Sequence, residues 1–359
     1  MKDSPAPHFA VRPEGLYVPD LEAWIDPSAA VARAILSHGH ADHAAAGHGE
    51  IWATRETLAI YRIRHPEWQG TARALAFEEI VKGAGVALAL HRAGHILGAA
   101  QIRVEGPDGS ALYTGDFRRG TSRTTLPASA PAADVLVMES TFGLPVFRFP
   151  PREDMEARLV AECRRAAEDG FVAIVLAYAL GKSQDAVLAL TEAGIPTVLH
   201  GAAWKLLPAY ERAGFAFPLS RPYGSGPARP GEVLVVPPNC VRTPVVRKLK
   251  KRRILYLSGW ALREASRTEF DADLLLPISD HADFDELLAH ASAVAPVRIR
   301  THHGYAQDLA RILTRSGKEA VALAEGGERT REDAEEEPEA PGAPDASEPD
   351  GTGGKTREP

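Results

Sequence analysis

Three histidines and an aspartate fall within six residues in Ser37-His38-Gly39-His40-Ala41-Asp42-His43, directly after the apolar run Ala34-Ile35-Leu36. Side chains spaced this way cannot share one ordinary helix face, but a loop leaving a strand can converge them. Imidazole nitrogen and carboxylate oxygen are the donors that Zn²⁺, Mn²⁺ and Fe²⁺ accept. A solvated histidine-rich loop is the bland alternative. It weakens because similar residues recur downstream in similar settings. Gly94-His95-Ile96-Leu97-Gly98 sits between two strand candidates, and Thr114-Gly115-Asp116 ends another. Ser279-Asp280-His281-Ala282-Asp283 and Thr301-His302-His303-Gly304 also follow apolar runs. Taken singly, each would more often be a structural histidine, a turn or a helix cap.

The runs that carry these residues alternate with Gly/Asp-rich turns. Strands are expected at 34–37, 86–90, 101–104, 111–114, 135–138, 171–176, 232–236 and 253–257. Helices are expected at 155–168, 181–192, 285–293 and 306–316. Clustered strands with helices between them predict an α/β protein whose sheets are covered by helices. A chain of 359 residues with 45% hydrophobic content has room for two domains. Its two cysteines, Cys163 and Cys240, make no disulfide framework and no thiolate cage, so any metal must use His and carboxylates. The start has no apolar stretch of the signal-peptide kind, and no segment approaches a bilayer span, so a cytoplasmic protein without membrane contact is expected. The net charge of −7 resides in the tail: residues 326–359 hold 11 acidic and 4 basic side chains, which leaves residues 1–325 formally neutral. Overall acidity therefore does not exclude a polyanionic substrate. The tail itself lacks apolar periodicity and is expected to be disordered.

Together these motifs resemble the metallo-β-lactamase superfamily. Met138-Glu139-Ser140-Thr141-Phe142-Gly143 is similar to motif A of its β-CASP nuclease group, His281 to motif B, and His303 to motif C, with His302 a competing neighbour. The order of motifs covers nearly the whole chain before the tail. Gly49–Thr57, Ser258-Gly259-Trp260 and His303-Gly304-Tyr305 resemble the bacterial DNA-ligase-associated exonucleases, relatives of the Artemis-type enzymes. The resemblance implies an αββα sandwich built from residues 1–143 and 280–325. An α/β β-CASP-like insert would occupy 144–279 and the tail 326–359.

It also implies two divalent metal ions, zinc or manganese, with iron a further candidate. His38, His40 and His95 would hold one, and Asp42, His43 and His303 the other. Asp116 would bridge them, and Asp42 would take part in catalysis as well. His281 would be the general acid that protonates the leaving alkoxide, kept charged by Glu139. Without the family pattern both would pass for ordinary strand-end or helix-start residues.

The implied activity is exonucleolytic cleavage of DNA, single-stranded and from a 5′ end, in repair, with a DNA ligase and a helicase as partners. Tyr178 and Lys182 would hold a terminal 5′-phosphate, with Ser183 beside them at a helix start that favours anions. Arg118, with Arg119 and Arg123, would line the cleft, and Arg247–Arg253, with six cations in seven residues, is a candidate phosphate patch. A solvated helix end explains that run about equally well. Three alternatives stand beside this reading. An RNA-processing nuclease is favoured by His303, because Artemis-type DNA nucleases usually lack a histidine at motif C. A non-catalytic nucleic-acid-binding scaffold is disfavoured by the complete ligand set. A small-molecule hydrolase is disfavoured by motif A and the insert.

Overall fold

A computed structural model describes residues 6–323. The tail expectation and residues 324–325 lie outside the described residues. Six short strands make the first sheet in sequence order: β1 Ala10–Arg12, β2 Gly15–Val18, β3 Ala23–Ile25, β4 Arg33–Ile35, β5 Glu50–Ala53 and β6 Thr71–Ala74. Helix α1, Arg55–Arg64, follows β5 and is capped by Thr54, whose hydroxyl accepts from the Thr57 amide. A second sheet begins with β7 Val81–Gly83, β8 Val86–Arg92, β9 Ala100–Gly106, β10 Gly109–Tyr113 and β11 Val135–Glu139.

The chain then leaves that sheet. Helix α2, Arg152–Glu168, leads into a third, wholly parallel sheet made of β12 Val172–Leu176, β13 Thr197–Leu199, β14 Ser220–Pro222, β15 Val233–Val236, β16 Arg252–Leu257 and β17 Leu274–Leu276. Helix α3, Lys182–Glu192, follows β12. After α4, Phe284–Val294, strand β18, Arg298–His302, returns to the second sheet beside β11. Helix α5, Ala306–Arg315, and the edge strand β19, Glu319–Ala322, complete it in the order β19-β18-β11-β10-β9-β8-β7.

Burial explains the layering. Alternate residues of β11 face opposite ways: Val135 and Val137 pack with Ile25, Ile35 and Trp52 of the first sheet, so those two sheets share a core. Leu136 and Met138 join a second core with Leu159 of α2, Val175 of β12 and Leu287 of α4. A strand buried on both faces carries no polar alternation, which is why Val-Leu-Val-Met and Val-Ala-Ile-Val-Leu read as unbroken apolar runs. No helix among the described residues is long and apolar enough to cross a membrane.

Candidate active site

The motif residues sit at or just beyond the C-terminal ends of strands. β4 leads to His38–His43, β10 to Asp116, β11 ends on Glu139, β18 leads to His303, and β17 leads to His281. β10, β11 and β18 run parallel, so their ends share one edge of the sheet. Two glycines let the loops close in. Gly115 has φ +53°, and a Cβ there would lie 2.8 Å from Ser37. Gly94 has φ +74°, and a Cβ would lie 2.3 Å from the Arg118 carbonyl. A side chain at either would push the Asp116 or His95 loop off its neighbour.

His38, His40, His95 and Asp116 present donor atoms within 4.8 Å of one another. The Asp116 Oδ2 lies 3.7 Å from His38 Nε2, 3.5 Å from His43 Nε2 and 3.9 Å from His95 Nε2. Asp42 Oδ2 stands 3.5 Å from His43 Nε2, and the His303 ring centroid is 5.8 Å from that of His43. The structure therefore gathers His38, His40, His95 and Asp116 tightly, with His43 against Asp116. Asp42 and His303 are less buried and join through His43.

The donor set fits a cation. His38 Nε2 and Asp42 Oδ1 are buried and make no hydrogen bond, a costly state unless a ligand takes the lone pair. Burial first, then the neighbouring histidines, push the His38 and His95 imidazoles well below their usual range, so their lone pairs are available. His43 behaves oppositely. Burial works against its charge, but Asp42, Asp116 and Asp26 outweigh it and drive it up to about 10. The acids of the site demand positive charge there, which a divalent ion would supply in place of the proton.

Asp26 is a member of this site that no motif announced. Its carboxylate accepts from His43 Nδ1 at 2.8 Å, the Ser37 amide at 2.7 Å, the Ser37 hydroxyl, and Tyr113 at 3.0 Å. With its oxygens so engaged, Asp26 orients His43 rather than acting as a ligand itself. Replacing it, as Asp26→Asn, should weaken metal affinity by about 10–100-fold, measured by chelator competition. Asp280 has a parallel role for His95, whose Nδ1 donates to the Asp280 carbonyl at 2.9 Å.

Beside the metal group, His281 Nδ1 donates to Glu139 Oε2 at 3.0 Å and lies 3.9 Å from Asp116. Glu139 is fully buried, and its oxygens also accept from the Phe117 amide at 2.7 Å and from the Thr141 hydroxyl. Burial raises its carboxyl, but His281 and these donors overcome that and hold it below the usual range. Asp116, Glu139 and His281 are close enough to form a cation site themselves, yet Glu139 is already satisfied without one.

Comparison with known proteins puts this site in context. No family model matches the chain. Over 315 residues it is 37% identical to a probable DNA ligase of Opitutus terrae, covering 87% of this chain and 30% of that protein. It is 32% identical over 181 residues to an RNase J-like protein of Methanocaldococcus jannaschii, covering 44% and 43%. It is 28% identical over 191 residues to cleavage and polyadenylation specificity factor subunit 3 of Dictyostelium discoideum, covering 44% and 24%. The chain belongs to the β-CASP nuclease group of the metallo-β-lactamase superfamily. It spans less than half the length of each of these relatives. A crystal structure of a protein of unknown function from Enterococcus faecalis V583 superimposes with a TM-score of 0.59 at 16% identity, over 82% of this chain and 80% of that one, which shows a shared α/β fold.

The substrate side of this β-CASP chain departs from expectation in several places. Lys182 is buried, with its Nζ 4.5 Å from the Tyr178 ring centroid and 3.4 Å from Asp280 Oδ2. Both residues line a small cavity with Thr141, Ser258, Trp260 and His281. Ser183, by contrast, is fully buried, and its hydroxyl donates to the Tyr178 carbonyl at 2.6 Å, so it serves the helix start. The α3 N-terminus is also largely self-satisfied, because Gln184 accepts from the Gly181 amide and Tyr178 from the Ser183 amide. Arg118 braces the motif B loop by donating to the Ser279 carbonyl at 2.7 Å. Arg119 donates to Ala289, and Arg123 pairs with Glu156 and Glu192. The run Arg247–Arg253 precedes or opens β16, whereas Ser258 follows its end, roughly 17 Å away at about 3.3 Å per residue. That patch faces the wrong edge of the sheet, and Arg252 and Arg253 are paired with Asp271 and Asp169.

Proposed function

We propose that the chain is a metal-dependent exonuclease that hydrolyses single-stranded DNA from a 5′ end, in DNA repair. The observation that carries this is the buried Lys182 ammonium beside His281. A lysine held in a small cavity next to the acid suits a chain end bearing a phosphate better than a continuous strand. The extent of similarity favours DNA: the probable DNA ligase matches over 87% of the chain, the RNA-associated relatives over 44%. On this reading residues 1–143 and 280–325 form the αββα sandwich, and residues 144–279, with the third sheet, form the β-CASP-like insert over the cleft.

His38, His40 and His95 would hold one ion, and Asp42, His43 and His303 the other, with Asp116 between. Two such ions, zinc or manganese, would supply Lewis acidity toward a water nucleophile and positive charge toward the phosphate. The protein's own groups do the rest. Lys182 and Tyr178 seat the terminal phosphate, Asp26 and Asp280 hold ligand rings in register, and His281 delivers a proton to the departing oxygen. A DNA ligase and a helicase are the partners this role suggests.

The test is digestion of end-labelled DNA and RNA, with and without 5′-phosphate. Processive shortening of 5′-phosphorylated single-stranded DNA is expected. Lys182→Ala should remove the preference for 5′-phosphate, about tenfold or more for a lost charge-assisted contact. Faster digestion of RNA would favour the second reading, an RNA-processing nuclease, for which His303 is the specific evidence.

A further inference from the structure

The Arg247–Arg253 run faces away from the cleft, and Arg118 and Arg123 are tied to protein partners, so a strand longer than the nucleotides at the metals must find its cations elsewhere. We propose that the nucleic-acid strand is gripped outside the cleft, in an arginine-rimmed groove behind the loop that carries His95. This rests on the nucleic-acid reading above.

Two adjoining cavities, of about 770 and 540 Å³, share Arg55, Ala74 and Arg212. They form one groove between α1, the end of β6 and the short helix Leu207–Arg212. Gly94, Ile96 and Gly98 help to wall it, while the side chain of His95 between them reaches His40 on the metal side. Four exposed arginines line the groove, Arg55, Arg62, Arg92 and Arg212, against two acids, Glu56 and Glu79. Glu56 is neutralised by Arg55 at 3.2 Å, and Glu79 accepts the Ala76 amide at 3.0 Å. Arg62, Arg92 and Arg212 form no ion pair among the described residues. Arg123, Arg152 and Arg253, by contrast, are all tied to carboxylates.

The same groove exposes Phe77 and holds a half-buried Phe215. Arg62 rests over the Trp68 ring at 6.0 Å and carries no carboxylate partner among the described residues. Guanidinium groups free of ion pairs beside accessible aromatic rings are the combination that binds single strands, because cations track the phosphates and rings accept bases of any sequence. A peptide partner would need its own acids in register, whereas a polynucleotide brings one charge per residue. The occupant is therefore a single strand extending beyond the nucleotides in the cleft.

The test uses fluorescence anisotropy with phosphorothioate oligothymidylates of twenty and four nucleotides over a series of salt concentrations. The variant carries Arg62→Ser, Arg92→Ser and Arg212→Ser, all exposed positions, with its thermal midpoint checked against the parent. For the long oligomer, Kd should rise at least about tenfold, and the salt slope should fall by about two, three contacts at ~0.7 each. For the short oligomer, Kd should stay unchanged. An unchanged long-oligomer Kd would overturn the groove, as would equal losses at both lengths. So would a variant that binds normally but sediments as a monomer where the parent is a dimer, which marks the groove as a self-contact. If the unmodified protein binds neither oligomer, the nucleic-acid reading itself falls, and the two failures are thus distinct.

Discussion

Asp116→Asn is expected to reduce nuclease turnover by about a thousandfold or more, beyond the ~10–100-fold typical when an outer partner of a metal ligand is lost, while the protein stays folded. The carboxylate stands within 4 Å of His38, His43 and His95. It reaches both halves of the ligand set, and unlike Asp26 its carboxylate is not taken up by Ser37 and Tyr113. Burial, opposed by His281 and His43, raises its carboxyl above the usual range, so ionising it costs the apo-protein stability. Removing the charge while keeping the shape should leave the metal-free melting temperature equal or higher. Metal content by elemental analysis should fall at the same time. A variant that digests labelled DNA at the parental rate, with both ions in place, would show the site to be elsewhere.

That loss turns on residues the sequence made legible through spacing. Five imidazoles and three carboxylates end or follow apolar runs, and those runs became β4, β8, β10, β11 and β18. Long or doubly buried strands announce themselves, as Val135–Glu139 and Val172–Leu176 did. Of the strands of three or four residues, β1 to β3, β5 to β7, β13, β14, β17 and β19 show too few alternations to register a period, whereas β4 and β15 were readable as unbroken apolar runs. Helix α1 hides for another reason: Arg-Glu-Thr-Leu-Ala-Ile-Tyr-Arg-Ile-Arg has a polar outer face but sits directly after a strand with no glycine break. At the site, first-contact residues were readable because metals demand particular donors. Asp26 and Asp280 were not, since an orienting hydrogen bond across 17 or 185 positions leaves no local signature. The arginines erred in the other direction. Charge density in 247–253 was visible, but which edge of a parallel sheet it faced depended on strand polarity.

His281→Ala should lower kcat on DNA by ~10²–10⁴, the usual worth of a positioned general acid, and should scarcely affect a nitrophenyl phosphodiester, whose leaving group needs no proton. That contrast separates an acid from a residue that merely holds the loop. Glu139→Gln tests the supply of the proton. The groups facing His281 are Glu139 at 3.0 Å, Thr141 at 3.4 Å, Asp116 at 3.9 Å and the His95 ring at 4.5 Å between centroids. Glu139 is held ionised, so it favours the imidazolium form. Taking that charge away must lower the pH at which the acid loses its proton. The basic limb of the pH–rate profile should therefore move to lower pH, with kcat reduced at neutral pH and partly recovered on acidification. An amide at position 139 can still accept from the Phe117 amide, so the loop stays in place. If the basic limb does not move, or if nitrophenyl substrates lose as much as DNA in His281→Ala, His281 is not the proton donor.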